Sequence, residues 1–404
     1  MMPRADPIAS RRRFLRFMAA SPLIAGATGA AFGQGGREAD FVIAEPGQAI
    51  NVFDFEAAMR KSAPPAHFGY VSTGVDDEAT LRANRQGFER FQLRPRRLVD
   101  VSRIDMSVEL FGTHYGSPIA IAPTASNKAF HPDGEIAVAR AARAGNHLQM
   151  LSTVATTSVE DAIAARGAPV WFQLYPTSDW RIGAGLARRA ERAGCAVIVL
   201  TVDSLSLANW ETYARSWRTD TRQCGSCHGL GMRDFVARKP NFDGLDVGGL
   251  GSTLATNLTW DVVKRLRDTV RARIVLKGLM AHEDATHAVE HGVDGIIVSN
   301  HGGRADDGGR ATIDALPEML AAVGGRIPVL IDGGFRRGTD IVKALALGAR
   351  AVAIGRPCLW GLGAFGQPGV ERVLQLLRRE TYAAMQQLGA PSIKDLTPAM
   401  VHRG

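Results

Sequence analysis

Cysteine is scarce in this chain. Four residues among 404, Cys195, Cys224, Cys227 and Cys358, are too few for a disulfide scaffold. Aromatic residues make up only 7%, so no stacking surface for nucleic acid is indicated. Outside the N-terminus no apolar run reaches the ~18–20 residues of a membrane-spanning helix. The expected mature protein is therefore soluble or, at most, in peripheral contact with a membrane. The remaining composition, 46% hydrophobic and 22% charged with 44 Gly and 19 Pro, excludes a disordered, collagen-like or coiled-coil chain.

A net charge of +8 could indicate a polyanionic partner, but its position argues otherwise. Residues 1–33 carry five arginines (Arg4, Arg11, Arg12, Arg13, Arg16) against Asp6, which is half of the excess. The remainder is spread thinly, and no nucleic-acid footprint is left. Ser10–Arg16, with its paired arginines and Phe14-Leu15, precedes a weakly apolar, Ala/Gly-rich run. That order fits a twin-arginine signal, with cleavage near Gly33–Gly35 or at Ala30. The expectation is a signal peptide over 1–33, one domain over 34–404, and a periplasmic or otherwise exported product.

From residue 118 the chain alternates short apolar runs with amphipathic segments. The predicted strands are 118–125, 147–153, 170–175, 196–203, 273–278, 295–301, 328–334 and 351–357. The predicted helices include 134–144, 180–193, 259–270, 281–291, 313–323 and 338–347. Eight such units imply a closed parallel (β/α)8 barrel, an α/β TIM barrel. An open doubly wound sheet needs fewer units and a Gly-rich turn after its first strand. Here that strand ends in Pro123-Thr124-Ala125. Residues 41–117 read as a helical N-terminal segment, and 204–258 as a long insertion after strand four, a partly mobile lid.

Each apolar run ends in residues capable of chemistry. These are Thr124, Ser152-Thr153, Gln173 with Tyr175, Thr201 with Asp203, Lys277, Ser299-Asn300-His301, Asp332-Gly333-Gly334 and Gly355-Arg356. All fall at the C-terminal ends of strands, where barrel enzymes build their sites. The pair Asp332–Gly338 and Gly355-Arg356, after strands seven and eight, reads as a phosphate site of glycine N–H groups and arginines. His301 reads as a general base, Asp203 as a carboxylate stabilising its imidazolium, and Arg304 as a residue orienting a substrate carboxylate.

These segments, Ala122–Ala125, Gln173–Tyr175, Leu200–Asp203, Leu276–Gly278, Ser299–Arg304 and Asp332–Gly338, resemble the FMN-dependent L-2-hydroxy acid oxidases and dehydrogenases. The resemblance spans about 50–395. It implies oxidation of a small 2-hydroxy acid to a 2-oxo acid, with electrons passing to quinone, a cytochrome or O₂, in an enzyme that is often oligomeric. By the same resemblance His301 is the base and Asp203 its partner. Arg304 and Tyr70 hold the substrate carboxylate, Tyr175 holds the hydroxyl end, and Lys277 sits near flavin N1. Ser152, Gln173, Thr201, Ser299 and the backbone near Thr124 contact the isoalloxazine and ribityl groups. Asp332, Gly334, Arg336, Gly355 and Arg356 hold the ribityl-phosphate end. A different FMN barrel reaction, or a non-catalytic FMN electron carrier, are the competing readings.

Three departures stand out. Asn209-Trp210-Glu211 replaces a segment that carries an active-site arginine in the family. Val154 stands where glycolate oxidase has a Trp, which leaves room for a larger substrate side chain. Cys224-Gly225-Ser226-Cys227-His228 is spelled like a c-type haem site, but about fifty inserted residues cannot enclose a haem. Covalent haem is therefore not expected, nor is a metal ion. FMN is the expected cofactor.

Overall fold

The computed structural model describes residues 42–204, 208–222 and 231–404. Ile43–Gly404 forms one compact unit. Eight parallel strands build the barrel: β1 (Ile119–Ile121), β2 (Met150–Ser152), β3 (Trp171–Leu174), β4 (Val197–Thr201), β5 (Arg273–Leu279), β6 (Gly295–Val298), β7 (Val329–Ile331) and β8 (Ala351–Ile354). From β2 onward each pairs with the next in sequence, and β8 pairs with β1. The β1–β2 seam is closed by a bridge between Ile121 and Gln149, with Ile121 N–H donating to the Leu148 carbonyl at 2.8 Å. The expected barrel is thus present, and each strand lies inside its predicted run except β5, which runs one residue past it to Leu279.

The strands are almost wholly buried on both faces, as a parallel sheet covered by helices requires. Side-chain parity then positions the site. Trp171, Val197, Val199, Val275, Ile297 and Leu330 belong to one buried cluster inside the barrel. Side chains two residues apart share a face. Continuing each parity upward from that cluster brings Gln173, Thr201, Lys277, Ser299 and Asp332 toward the axis at the C-terminal end. The period of two that builds an apolar floor also delivers a polar ceiling.

The floor is closed by a hairpin, Val108–Leu110 with Thr113–Tyr115, whose Leu110 and Tyr115 join the same cluster. Helices Gly134–Ala144 and Gly338–Leu347 match their predicted bounds. The pattern did not foretell Val159–Arg166 or the long C-terminal helix Arg356–Leu388, which is kinked at Phe365 and Gly366. The N-terminal segment is helical as expected, with helices Phe53–Ser62, Pro65–Ser72 and Ala79–Gln86. It is tied to the far end of the chain by an antiparallel pairing of Phe91–Leu93 with Val401–Arg403. Among the described residues no helix is long and apolar enough to cross a membrane.

The insertion contributes helix Glu211–Thr219, which packs on Pro65–Ser72. The approach is close. A Cβ at Gly69 would lie 2.4 Å from the Ser216 side chain, so glycine is needed there.

Candidate active site

The C-terminal end of the barrel opens into a cavity of roughly 850 Å³, counting the space continuous with solvent. Of the sequence-predicted residues, Tyr70, Thr124, Ser152, Tyr175, Lys277, His301, Arg304, Asp332, Gly334, Arg336, Gly355 and Arg356 line it. Asp203, Gln173, Thr201 and Ser299 do not reach the wall. They stand behind it, in contact with residues that do.

His301 follows β6 on a turn in which His301, Gly302 and Gly303 all have left-handed backbones, with φ of 56°, 67° and 73°. For a histidine this costs about 1–2 kcal/mol, which the surrounding contacts must offset. The loop is held by a reciprocal amide pair between buried Asn84 and Asn300, at 2.8 and 2.9 Å. Asn84 Oδ1 also accepts the Thr312 N–H. Asn84 was not foreseen, because it lies 216 residues from its partner and has no local signature. Asn84→Ala should cost about 1–3 kcal/mol for each polar group left buried and unpaired. Denaturant unfolding of the holoprotein measures this, and a loss below 0.5 kcal/mol would refute the clip.

His301 Nδ1 lies 2.8 Å from Asp203 Oδ1, and its Nε2 lies 3.5 Å from the Tyr175 hydroxyl. The Ser204 hydroxyl, also unforeseen, sits beside the pair, 3.3 Å from Asp203 Oδ1 and 3.4 Å from Nδ1. Burial alone would raise the Asp203 carboxyl. The charges of His301 and Lys277 and the hydrogen bonds from His301 and Ser204 outweigh it and hold Asp203 below its ordinary value. Burial pushes the Tyr175 phenol up, and the Asp203 and Tyr70 side chains push the same way, so Tyr175 keeps its proton. The arrangement leaves Nε2 as the ring nitrogen turned away from the carboxylate.

Three arginines line the same cavity, and among the described residues none of them forms an ion pair. Two of these cap helix Pro65–Ser72, whose last carbonyls lack partners in the helix. Arg304 Nη1 donates to the carbonyls of Tyr70 at 2.6 Å and Thr73 at 3.1 Å. Arg356 donates through Nε, Nη1 and Nη2 to the carbonyls of Val71, Gly302 and Thr73 at 2.8–2.9 Å. The third, Arg336, donates to the Phe335 carbonyl and lies over the Trp360 ring. Burial lowers Arg336 to about 10, with Arg85 adding repulsion. Arg356 is lowered further, first by burial and then by Arg304 and Arg336.

Lys277 is buried between Ser299 Oγ at 2.9 Å and Asp332 Oδ2 at 3.3 Å. Burial opposes its charge, but Asp332 and Asp203 outweigh burial and raise it above its ordinary value. From Ser152 on the wall, a hydrogen-bonded chain runs back to Gln173 and Thr201 across β2, β3 and β4, at 3.1 and 3.0 Å. Val154 is buried but does not line the cavity, and neither does Trp210.

Two features test whether a phosphorylated polyol cofactor fits. Buried guanidinium groups without carboxylate partners are costly unless an anion joins them. Asp332 Oδ1 and Arg304 Nη2 are each buried without any hydrogen-bond partner, which leaves one acceptor and one charged donor unused on cavity-lining residues. The residues fit such a group.

Fold and site together define a (β/α)8 barrel enzyme with a histidine–carboxylate pair beside a pocket that fits an anionic cofactor. Residues 59–403 match the FMN-dependent dehydrogenase family. The chain is 42% identical over 351 residues to a peroxisomal (S)-2-hydroxyacid oxidase of Arabidopsis thaliana, covering 87% of this chain and 95% of that one. It is 43% identical over 348 residues to the L-lactate oxidase of Lysinibacillus sphaericus, covering 85% and 90%. A solved mandelate oxidase variant with (S)-mandelic acid matches at a TM-score of 0.77 and 37% identity, covering 88% and 98%. The chain belongs to the FMN-dependent dehydrogenase family and is an FMN-dependent oxidoreductase.

One expectation is corrected by these relatives. Export through a twin-arginine route was expected, yet relatives named by compartment are peroxisomal. The Ser10–Arg16 pattern rests on composition alone, a basic stretch before small apolar residues, and it lies outside the described residues. The export reading is withdrawn. Cys224, Cys227 and His228 also lie outside the described residues.

Proposed function

We propose that this enzyme oxidises an L-2-hydroxy acid to the 2-oxo acid, with His301 as the base and Arg304 as the carboxylate holder. The observation that carries this is the placement, on one cavity, of the His301–Asp203 pair and a guanidinium whose Nη2 is buried and unpaired.

In this reading Arg304 Nη2 and Tyr70 bind the carboxylate, and Tyr175 meets the hydroxyl end next to His301 Nε2. The neutral imidazole accepts a proton at Nε2, and ionised Asp203 stabilises the resulting imidazolium. This holds whether the proton leaves from carbon or from the hydroxyl. FMN, when bound, supplies the two-electron acceptor for the oxidation. Arg336, Arg356, Gly334 and Gly355 are assigned to its phosphate end and Asp332 to its ribityl chain. Lys277 is assigned beside the isoalloxazine, where its positive charge favours an anionic reduced ring. Thr124, Ser152, Gln173, Thr201 and Ser299 complete that wall, either directly or by fixing the residues that do.

The test is anaerobic mixing of the purified yellow protein with glycolate and with L-lactate- and L-mandelate-type acids. Flavin absorbance should bleach with at least one of them, and with no matching amide. Failure of the whole panel, or equal bleaching by acid and amide, overturns the reading. Reoxidation of the bleached protein by O₂ or by a quinone then separates oxidase from dehydrogenase.

A further inference from the structure

We propose that Trp210 is a positioning residue for Arg304, holding its guanidinium in place at the cavity wall for the substrate carboxylate. This rests on the reading of Arg304 as the carboxylate holder. Trp210 stands where the family resemblance leads one to expect a second arginine, and its role has to be read from its contacts.

The Trp210 ring lies 4.4 Å from the Arg304 guanidinium carbon, and the Tyr70 ring lies 4.6 Å from the same atom. The two rings are 5.9 Å apart and inclined at 82°. They therefore form a corner, and the guanidinium sits in it. Hydrogen bonds from Nη1 to the Tyr70 and Thr73 carbonyls fix rotation within the guanidinium plane, while the ring faces resist tilting out of it. Neither set alone fixes a planar group on a flexible stem.

Trp210 also holds the backbone of the same residue, since its Nε1–H donates to the Arg304 carbonyl at 3.2 Å. The segment carrying Trp210 is itself anchored. Asp76 N–H donates to the Asn209 carbonyl at 3.0 Å, Asn209 Nδ2 donates to Asp76 Oδ1 at 3.0 Å, and Thr212 donates to Glu78 at 2.6 Å. Trp210 does not line the cavity, so its effect on substrate passes through the lining residues it touches, Arg304 and Tyr70, and removal of Arg304 separates the two routes.

The exchange of charge for a π face has a chemical consequence. A second guanidinium here would repel Arg304, which already faces Arg356. An indole face attracts the existing cation and does not compete for the carboxylate. Substrate then meets one ordered guanidinium instead of two mutually repelling ones. The ordering of a long side chain is completed before binding, and affinity rises by the entropy not lost on association.

The experiment is a double-mutant cycle on the holoenzyme, read by the flavin absorbance change on titration with benzoylformate, a 2-oxo acid probe. Trp210→Met keeps apolar volume but removes the π face and the N–H, while Trp210→Phe restores a ring. Trp210→Met should weaken binding roughly 3- to 30-fold, the range of a partly to fully desolvated cation–π contact, and Trp210→Phe should recover most of it. In an Arg304→Met background the Trp210→Met change should add less than twofold, as expected of coupled residues. Binding of benzoylformamide, the neutral analogue, should be the same in all Trp210 variants.

Equal benzoylformate affinity in the Met and Phe variants overturns the proposal, as does an undiminished Trp210→Met effect without Arg304. If Arg304→Met itself leaves benzoylformate binding unchanged, the carboxylate reading of Arg304 fails instead, and the cycle shows which of the two has gone.

Discussion

Replacing His301 by Gln should slow substrate-driven flavin reduction by about 10²–10⁴-fold, the share usually carried by a positioned general base, while FMN stays bound. The amide reaches about as far as Nε2 and stays polar, but it has no basic nitrogen to take the proton. Asp203 does not substitute for it. Its depressed pKa keeps it ionised, so it lends stability above its ordinary unfolded value, about 4, and loses that contribution only as pH falls through the lower folded value. In the working range it is a fixed negative charge. Asp203→Asn should consequently lower the rate as well, since the imidazolium that forms loses its counter-charge, though the base itself remains. Stopped-flow reduction without O₂ measures both. A His301→Gln rate within threefold of the unsubstituted enzyme would remove His301 from the mechanism.

The fold was legible because one physical signal repeats eight times. Each strand is a short apolar run with a polar terminus, and the sheet's side-chain period converts that run into a packed floor and a reactive rim. Val197, Val199 and Thr201 on β4 show this in five residues. What escaped was everything whose meaning lies in a distant partner. Asn84 and Arg85 sit on an unremarkable exposed-looking helix, and only the folded chain brings Asn84 to Asn300 and Arg85 to Gly334 and Asp340. Arg356 was read as a phosphate ligand from its Gly-Arg spelling. Spelling could not reveal that three backbone carbonyls already engage it, because those carbonyls belong to a helix end and a turn far away in sequence. Trp210 was visible as a missing charge, and its contacts with Arg304 emerged only from the folded geometry.

The two buried arginines at the cofactor end should therefore respond differently to the same substitution. Arg336→Met should weaken FMN binding about 10- to 150-fold, the equivalent of one charge-assisted hydrogen bond at ~1.5–3 kcal/mol. Yet it should leave the FMN-free protein more stable than its parent. The sign follows from the lowered pKa. A base that drops from its usual 12.5 to about 10 on folding holds its proton less tightly when folded. Its charge then opposes folding fully below the folded value, and the penalty fades as pH rises toward the unfolded one. At neutral pH removal of that charge relieves a cost on the order of a few kcal/mol. Arg356→Met should do the reverse. Its three nitrogens serve the carbonyls of Val71, Thr73 and Gly302. Thr73 keeps its bond from Arg304, so loss of the side chain strands the Val71 acceptor at the helix end and the Gly302 acceptor in the His301 turn, at about 1–3 kcal/mol each. FMN-free protein of that variant should unfold several degrees below its parent. Fluorescence titration of FMN into each apoprotein, paired with thermal unfolding in its absence, separates the two effects. Equal stability of the two FMN-free variants would mean that Arg356 is not the brace and that the helix end finds its partners elsewhere.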